Sequence, residues 1–300
     1  MSFLHGQDST SQRRWPIARA AFLLVVCCGL VSSGRARAIT NGQIDTENTF
    51  QNVGVFMVVF GPNDLGVPEG TLIDFCSMTL IHERVGLTAG HCTTYADSGV
   101  PSFIRPVVSF SPNNPRDPST WIDVAVQRTH PGWPTCVLGE PCPPDGMGGQ
   151  IPSDTPGLID VGLLFLASPI RGIKPAKLAK IGEFDKDRYG VPMTLAGYGF
   201  TALTADGQRP SVEEWDGLRR WGTSSLINVA NDDWIDFDRN PAGVCYGDSG
   251  GPTFFHNRLV AIGSDGSVDC ASWDHRTRLD TQTVLDWIRS VIAENNLNLP

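Results

Sequence analysis

Basic residues are scarce in this chain of 300 residues, which has 23 lysines and arginines against 32 aspartates and glutamates. The first 38 residues hold five of the arginines and one of the aspartates. Without them the ratio is 18 to 31, a net charge of −13. Because nucleic acids carry a dense negative charge, this composition argues against nucleic acid as a partner.

The sequence also lacks the spacings that hold a metal. It has no paired C-x-x-C motif and no cluster of histidines, so a structural zinc site is not expected. No dense carboxylate motif of the kind that binds calcium is evident, and no internal repeat of a solenoid or propeller is apparent. We therefore predict a chain without a metal or another cofactor.

Long hydrophobic runs are missing as well. The apolar run from Ala20 to Val31 is shorter than the roughly 20 residues that span a membrane. Arginines precede this run, and small residues lead to Ala36-Arg37-Ala38, an A-x-A cleavage pattern. We predict that residues 1–38 are a secretory signal peptide and that the mature chain is secreted, either outside the cell or into the periplasm.

Cleavage after Ala38 would make Ile39 the new N-terminus. A short propeptide, cleaved after Arg35 or Arg37 and trimmed further, is the alternative. Twin arginines at 13–14 and twin cysteines at 27–28 have no flanking residues that support twin-arginine export or lipidation.

The most informative segment reads C-Y-G-D-S-G-G-P over residues 245–252. A serine between an aspartate and two glycines suits a tight turn that points its hydroxyl outward while backbone N–H groups converge. Such a turn builds a nucleophile and an oxyanion hole together. Ser249 is therefore a candidate nucleophile.

A serine nucleophile needs a base, and the base needs a group that orients it. His91, in L-T-A-G-H-C after an apolar stretch, is the candidate base. Asp160 opens the run I-D-V-G-L-L-F-L, which is typical of a buried strand, where a carboxylate must have a polar partner. The remaining histidines have no comparable setting and are predicted to be structural or exposed; they are His5, His82, His130, His256 and His275.

These three motifs, in the order His, Asp, Ser, resemble the chymotrypsin-like (trypsin-fold) serine proteases. Three further segments resemble the same family: V-A-V-Q-R-T-H-P-G-W at 124–133, T-L-A-G-Y-G-F-T at 194–201 and L-V-A-I-G-S-D-G at 259–266. The resemblance covers most of residues 39–292. It implies that His91 is the general base, Asp160 its orienting carboxylate and Ser249 the nucleophile.

The resemblance also implies roles for neighbouring residues. The amides of Gly247 and Ser249 fall on the oxyanion hole. An N-terminal Ile39 would form an ion pair with Asp248 that orders this hole. The hydroxyl of Ser264 falls on the position that supports the catalytic aspartate.

Departures from the family concern the primary pocket, which receives the side chain before the cleaved bond. Its floor is Gly243, where trypsin-type enzymes have an aspartate, and Gly266 should leave its entrance open. Asp274 would approach the pocket wall from the other side. These residues predict a pocket for large apolar and basic side chains. Asp265 stands where the family commonly has a tryptophan in the strand that flanks the substrate, and it favours a basic substrate residue beside that strand.

Six cysteines remain after residue 38, an even number that suits an oxidising compartment. Fifteen connectivities are possible. The resemblance implies Cys76–Cys92 and Cys245–Cys270, which leaves Cys136 and Cys142 for each other in a proline-rich segment over 135–156, an expected exposed loop.

The predicted fold class is all-β, with two packed antiparallel β-barrels of the trypsin-like type and a C-terminal helix. Many glycines and prolines among short apolar runs favour strands and turns. The first barrel is expected over residues 39–169, and the second barrel with the terminal helix over 170–300. Residues 281–294 place Val284, Leu285, Ile288 and Ile292 at helical spacing.

The function expected from the sequence is that of a monomeric, secreted serine endopeptidase acting on protein or peptide substrates. A non-catalytic binding protein on the same fold is the alternative from another class. An esterase and a narrow-specificity processing enzyme also remain open.

Overall fold

Short apolar segments separated by glycine and proline turns build this chain almost entirely from strands. The computed structural model describes residues 39–93, 99–134, 157–183, 188–229 and 233–299. The predicted signal peptide and the predicted Cys136–Cys142 pair lie outside these residues.

Fourteen strands and one α-helix lie within the described residues. They are β1 (Gln43–Ile44), β2 (Val53–Phe60), β3 (Leu72–His82), β4 (Val85–Thr88), β5 (Ile104–Ser109), β6 (Ile122–Thr129), β7 (Gly162–Leu166), β8 (Lys177–Leu178), β9 (Pro192–Gly197), β10 (Arg220–Val229), β11 (Trp234–Phe237), β12 (Pro252–Phe255), β13 (Arg258–Gly266), β14 (Asp274–Arg278) and α1 (Gln282–Glu294).

The strands close into two antiparallel barrels. The first has the order β2-β3-β4-β7-β6-β5. The second runs β10-β11-β14-β13-β12-β9 and closes because β9 also pairs with β10. This confirms the prediction of an all-β fold with two barrels and a C-terminal helix.

The start of the described chain pairs with the second barrel. Strand β1 adds to the edge of β10, and Thr40 forms an isolated bridge with Gly243. The boundary expected from the sequence assigned residues 39–169 to the first barrel. Hydrogen bonding instead attaches residues 40–44 to the second.

Strand burial follows the barrel geometry. All five residues of β7 are buried, as expected for a continuous apolar run inside a closed sheet. In β10, buried and partly buried positions alternate over most of the strand because successive side chains point to opposite faces.

Helix α1 holds the two barrels together. Thr281 caps its N-terminus by accepting the N–H of Val284 at 3.3 Å. Most of its buried side chains share one apolar cluster with Leu87 of the first barrel and Ile262 of the second. No helix within the described residues is long and apolar enough to cross a membrane.

His130 packs beneath this helix and supplies a prediction about acid stability. It is buried, its ring lies edge-on to Trp287 at 5.0 Å, and its Nδ1 accepts the N–H of Gly132 at 3.0 Å. Burial disfavours the charged imidazolium and lowers the pKa of His130 from 6.5 to about 4.

Between these two pKa values the unfolded chain binds more protons than the folded one, so stability falls as the pH drops from about 6.5 to 4. We expect this residue to account for a loss of about 3 kcal/mol over that range, since one pKa unit corresponds to about 1.4 kcal/mol. Urea unfolding at pH 7 and pH 4.5 measures it. The variant His130→Asn, whose amide oxygen can still accept the Gly132 N–H, should lose much less stability over this range. An identical pH dependence in the variant would contradict the assignment.

Candidate active site

The first component of the candidate site is His91, which follows strand β4. The chain turns there into a short 3-10 helix, Gly90–Cys92, after an extended residue at Ala89. A disulfide joins Cys92 to Cys76 of β3, as the resemblance implied. The histidine is therefore attached to the barrel on both sides, with its side chain 28% exposed.

Asp160 lies just before β7 and contacts His91 twice. Its Oδ1 accepts the His91 backbone N–H at 2.8 Å, and its Oδ2 lies 2.8 Å from His91 Nδ1. Because an ionised carboxylate only accepts hydrogen bonds, this geometry favours the tautomer with its proton on Nδ1 and its lone pair on Nε2. The Asp160 side chain is fully buried.

The two groups shift each other's pKa in opposite directions. Burial alone would lower the pKa of His91, but the charge and hydrogen bond of Asp160 outweigh burial and raise it above 6.5. For Asp160, burial alone would raise the pKa. His91 and the hydroxyl of Ser264 outweigh burial and hold the pKa of Asp160 below its ordinary value. A carboxylate and an imidazole are thus matched as acceptor and donor.

Ser249 lies in the turn between β11 and β12 and reaches the first barrel through Ser77 of β3. The Ser77 N–H donates to the Ser249 carbonyl at 2.9 Å, and the Ser77 hydroxyl donates to the Gly247 carbonyl at 2.9 Å. Ser77 directly follows Cys76, the partner of Cys92. A short covalent and hydrogen-bonded path therefore connects the histidine turn with the serine turn.

The turn itself leaves two amides available. Gly247 has φ of +87°, which side chains other than glycine rarely adopt. Within the described residues, neither the Gly247 nor the Ser249 amide donates a backbone hydrogen bond. Such amides can bind a developing negative oxygen.

Ser264 lies between the two halves of the site. Its hydroxyl donates to Asp160 Oδ2, and its carbonyl accepts the Ser249 hydroxyl at 3.4 Å. Ser264 therefore links Ser249 to Asp160, which in turn contacts His91.

Asp248, next to the serine, is completely enclosed. Its oxygens accept the N–H groups of Gly199 at 2.8 Å, Cys245 at 3.0 Å and Ile39 at 3.3 Å. Burial raises the pKa of this carboxyl to about 6, although the three hydrogen bonds oppose the shift. Ile39 is 1% exposed and packs against Val244, so the predicted partners Ile39 and Asp248 do lie together.

Buried charges surround Asp274, one of the residues predicted to form the primary pocket. Asp274 is buried, and Arg276 binds both of its oxygens at 2.9–3.0 Å. Asp274 Oδ2 also accepts the Val244 N–H at 3.0 Å and lies 3.5 Å from Arg239 Nη1. The Cys245–Cys270 disulfide braces the same walls. Gly243 and Gly266 leave no side chain in the pocket.

Sequence reasoning missed both arginines that lie beside Asp274. Asp274 and Arg276 occupy alternate positions of β14, so their side chains share a face, and opposite charges at that spacing are a usable signal. Arg239 lies in a loop, and no local pattern marks it as buried.

Sequence reasoning also missed a charged cluster beside the candidate site. His275 of β14 lies between Asp265 of β13 at 3.2 Å and Asp236 of β11 at 3.0 Å. Burial would lower the pKa of His275, but the two carboxylates raise it, and burial raises the pKa of Asp265 to about 6. All three are direct cross-strand neighbours, a relation that the sequence does not show until the register is known.

Among the described residues, potential metal ligands come together at Cys76, His91 and Cys92. The two sulfurs are joined in a disulfide, so this group supplies no thiolates.

Comparisons with known proteins show the family of the chain and structures with a similar fold. A profile of the family described as Trypsin matches residues 65–288, about three quarters of the chain. Among solved structures, HL collagenase is similar with a TM-score of 0.57 at 16% identity, covering 84% of this chain and 98% of that one. A structure described as GrC is similar with a TM-score of 0.56 at 18% identity, with the same coverage of both chains. A search of curated proteins gives no match. The family profile covers well over half of the sequence, and the chain therefore belongs to the trypsin family of serine proteases.

Proposed function

We propose that the chain is a secreted serine endopeptidase that cleaves peptide bonds through His91, Asp160 and Ser249. The hydrogen bonds of buried Asp160 to His91 Nδ1 and to Ser264, whose carbonyl accepts the Ser249 hydroxyl, carry this proposal. Membership of the trypsin family supports it.

In the first half of the proposed reaction, Ser249 Oγ attacks the substrate carbonyl carbon and its proton moves to His91 Nε2. The carbonyl π electrons move to the oxygen, and the Gly247 and Ser249 amides stabilise that oxyanion. His91 then gives its proton to the leaving amine. The carbon–nitrogen bond breaks, and an ester to Ser249 remains.

Water completes the cycle. His91 takes a proton from water while the water oxygen attacks the ester carbonyl, and then returns a proton to Ser249 Oγ as that bond breaks. Asp160 stays ionised throughout and stabilises the imidazolium that forms twice.

The proposal includes processing at Ala38. Cleavage there would convert the Ile39 nitrogen, which lies 3.3 Å from Asp248 Oδ2, from an amide into an ammonium. A charged partner for a buried carboxylate is more favourable than a neutral donor. Export and activation would then be one step.

We expect a fluorophosphonate probe to label purified mature protein at Ser249 and at no other residue, because the probe reacts with an activated serine. Mass spectrometry locates the adduct and also reads the N-terminus, expected at Ile39. The variant Ser249→Ala is the matched control and should remain unlabelled.

An unlabelled protein that begins at Ile39 would contradict the proposed catalysis and favour a binding protein on this fold. Labelled protein with another N-terminus would contradict only the proposal that export and activation are one step.

A further inference from the structure

The base of the primary pocket, defined here as the space bounded by residues 243–249, 264–266 and 274, is occupied by a side chain from the chain itself. A Cβ placed on Gly243 would lie 2.7 Å from Arg239 Cζ and 2.8 Å from its Cβ and Cγ. Arg239 therefore occupies the space into which a side chain at position 243 would project. Absence of a side chain at Gly243 does not make the pocket deep.

The Arg239 guanidinium contacts two residues that bound this space, Val244 and Asp274, and two that lie beside it, Thr40 and Cys270. Nη1 donates to the Val244 carbonyl and lies 3.5 Å from Asp274 Oδ2. Nη2 donates to the Cys270 carbonyl and to the Thr40 hydroxyl, the latter at 2.9 Å. The side chain is 2% exposed. These contacts lock one position of the guanidinium.

The backbone supports the same interpretation. Arg239 has φ of +57°, a left-handed conformation that is unfavourable for a residue with a side chain. Such a conformation persists only where surrounding contacts impose it, and it often marks a functional position. Here the Arg239 N–H is held by the Ser224 hydroxyl at 3.2 Å.

Two features argue that Arg239 fills the pocket and does not receive a substrate anion. Both terminal nitrogens already have two acceptors each, and only Nε lacks a partner among the described residues. Asp274, in turn, has donors on both oxygens, chiefly from Arg276. Neither charge is available to a substrate side chain.

We propose that Arg239 is a specificity-determining residue that plugs the primary pocket, so that the pocket accepts short uncharged side chains such as alanine, serine or valine. This inference rests on the proposed endopeptidase function. A preference for short side chains replaces our expectation from Gly243, Gly266 and Asp274, which was a pocket for large apolar or basic side chains. Long side chains are excluded by the guanidinium, and basic ones also by its charge.

The test uses mature protein and a series of peptide substrates that differ only in the residue before the cleaved bond: Ala, Val, Leu, Phe, Glu and Arg. For the wild type we expect kcat/KM for Ala to exceed that for Phe and Arg by at least about tenfold, the size of discrimination that one or two excess methylenes produce. Arg239→Ala opens a space the size of a guanidinium beside Asp274. We expect the Arg substrate to gain at least about tenfold relative to Ala in this variant.

Arg239→Met is the matched control, because methionine fills much of the same space without charge. It should keep the preference for Ala, and it tests the plug even where Arg239→Ala is unstable. Comparable wild-type rates on Ala, Phe and Arg would overturn the proposal, as would an unchanged profile in stable Arg239→Ala. A wild-type preference for Glu that disappears in Arg239→Met would also overturn it, since Arg239 would then be an anion receptor.

Binding of benzamidine, an aromatic cation, separates this proposal from the catalytic one because it needs no turnover. By titration calorimetry, Arg239→Ala should bind benzamidine at least about tenfold more tightly than the wild type. This is the same factor as that expected between the Ala and Arg substrates. Tighter binding by Arg239→Ala in a protein that the fluorophosphonate does not label would overturn the proposed catalysis and support the plug. Equal binding by labelled wild type and Arg239→Ala would overturn the plug alone.

Discussion

Replacing Asp160 with asparagine should lower kcat by about 10⁴-fold while leaving the fold intact. The amide group is nearly the size of the carboxylate, but its NH₂ can donate to His91 Nδ1, which lies 2.8 Å from Asp160 Oδ2. The imidazole would then carry its proton on Nε2 and could not accept the proton of Ser249. The loss should appear with any peptide that the wild type cleaves, and in slower fluorophosphonate labelling.

Asp123→Asn is a suitable control for this prediction. Asp123 pairs with Arg105 on the surface at 2.6 Å, with about half of its side chain exposed. Its removal should leave kcat unchanged. Activity of Asp160→Asn within tenfold of the wild type would mean that Asp160 does not orient the base.

Replacing Arg219 with alanine should destabilise the protein by about 3–5 kcal/mol, the range found when one partner of a buried ion pair is removed. Arg219 and Asp45 are both essentially unexposed, and Arg219 Nε donates to Asp45 Oδ2 at 2.8 Å. The same guanidinium donates to the Val53 carbonyl at 2.9 Å and to the Tyr198 hydroxyl at 3.3 Å. These partners come from both barrels, so the variant leaves a buried carboxylate and weakens the barrel interface.

The free energy of unfolding in urea measures this effect. Arg105→Ala, which breaks the exposed pair with Asp123, should cost no more than about 1 kcal/mol. The double variant Arg219→Met with Asp45→Leu should be less destabilised than Arg219→Ala, because no charge is left buried. A cost below 1 kcal/mol for Arg219→Ala would show that water reaches Asp45 when the arginine is absent.

Short motifs nominated His91, Asp160 and Ser249 as candidate site residues, and the family resemblance of those motifs implied that they act together. The glycines around Ser249 and the small residues before His91 impose local turns, and the apolar run after Asp160 imposes a buried strand. Each motif carries its own geometry, so the contact between His91 and Asp160 could be anticipated across 69 positions. The helical spacing of apolar residues predicted the packing face of α1, whereas the two barrels were implied by the family resemblance.

The charges that fill the primary pocket could not be predicted in the same way. Arginine is usually exposed, and the burial of Arg239 depends on acceptors that include Thr40 and Cys270 in distant segments. His275 meets Asp265 and Asp236 only after β11, β13 and β14 are aligned in register. Such contacts are properties of the assembled sheet, and no window of sequence contains them.

Ser77 has a consequence for engineering. Its N–H and hydroxyl hold the serine turn, and its hydroxyl oxygen accepts the Tyr198 N–H at 2.9 Å, while Cys76 beside it is bonded to Cys92. A loop graft that transfers only the His91 and Ser249 turns to another scaffold would leave their spacing to chance. A working transplant of this site must therefore carry the middle of β3 as its third component.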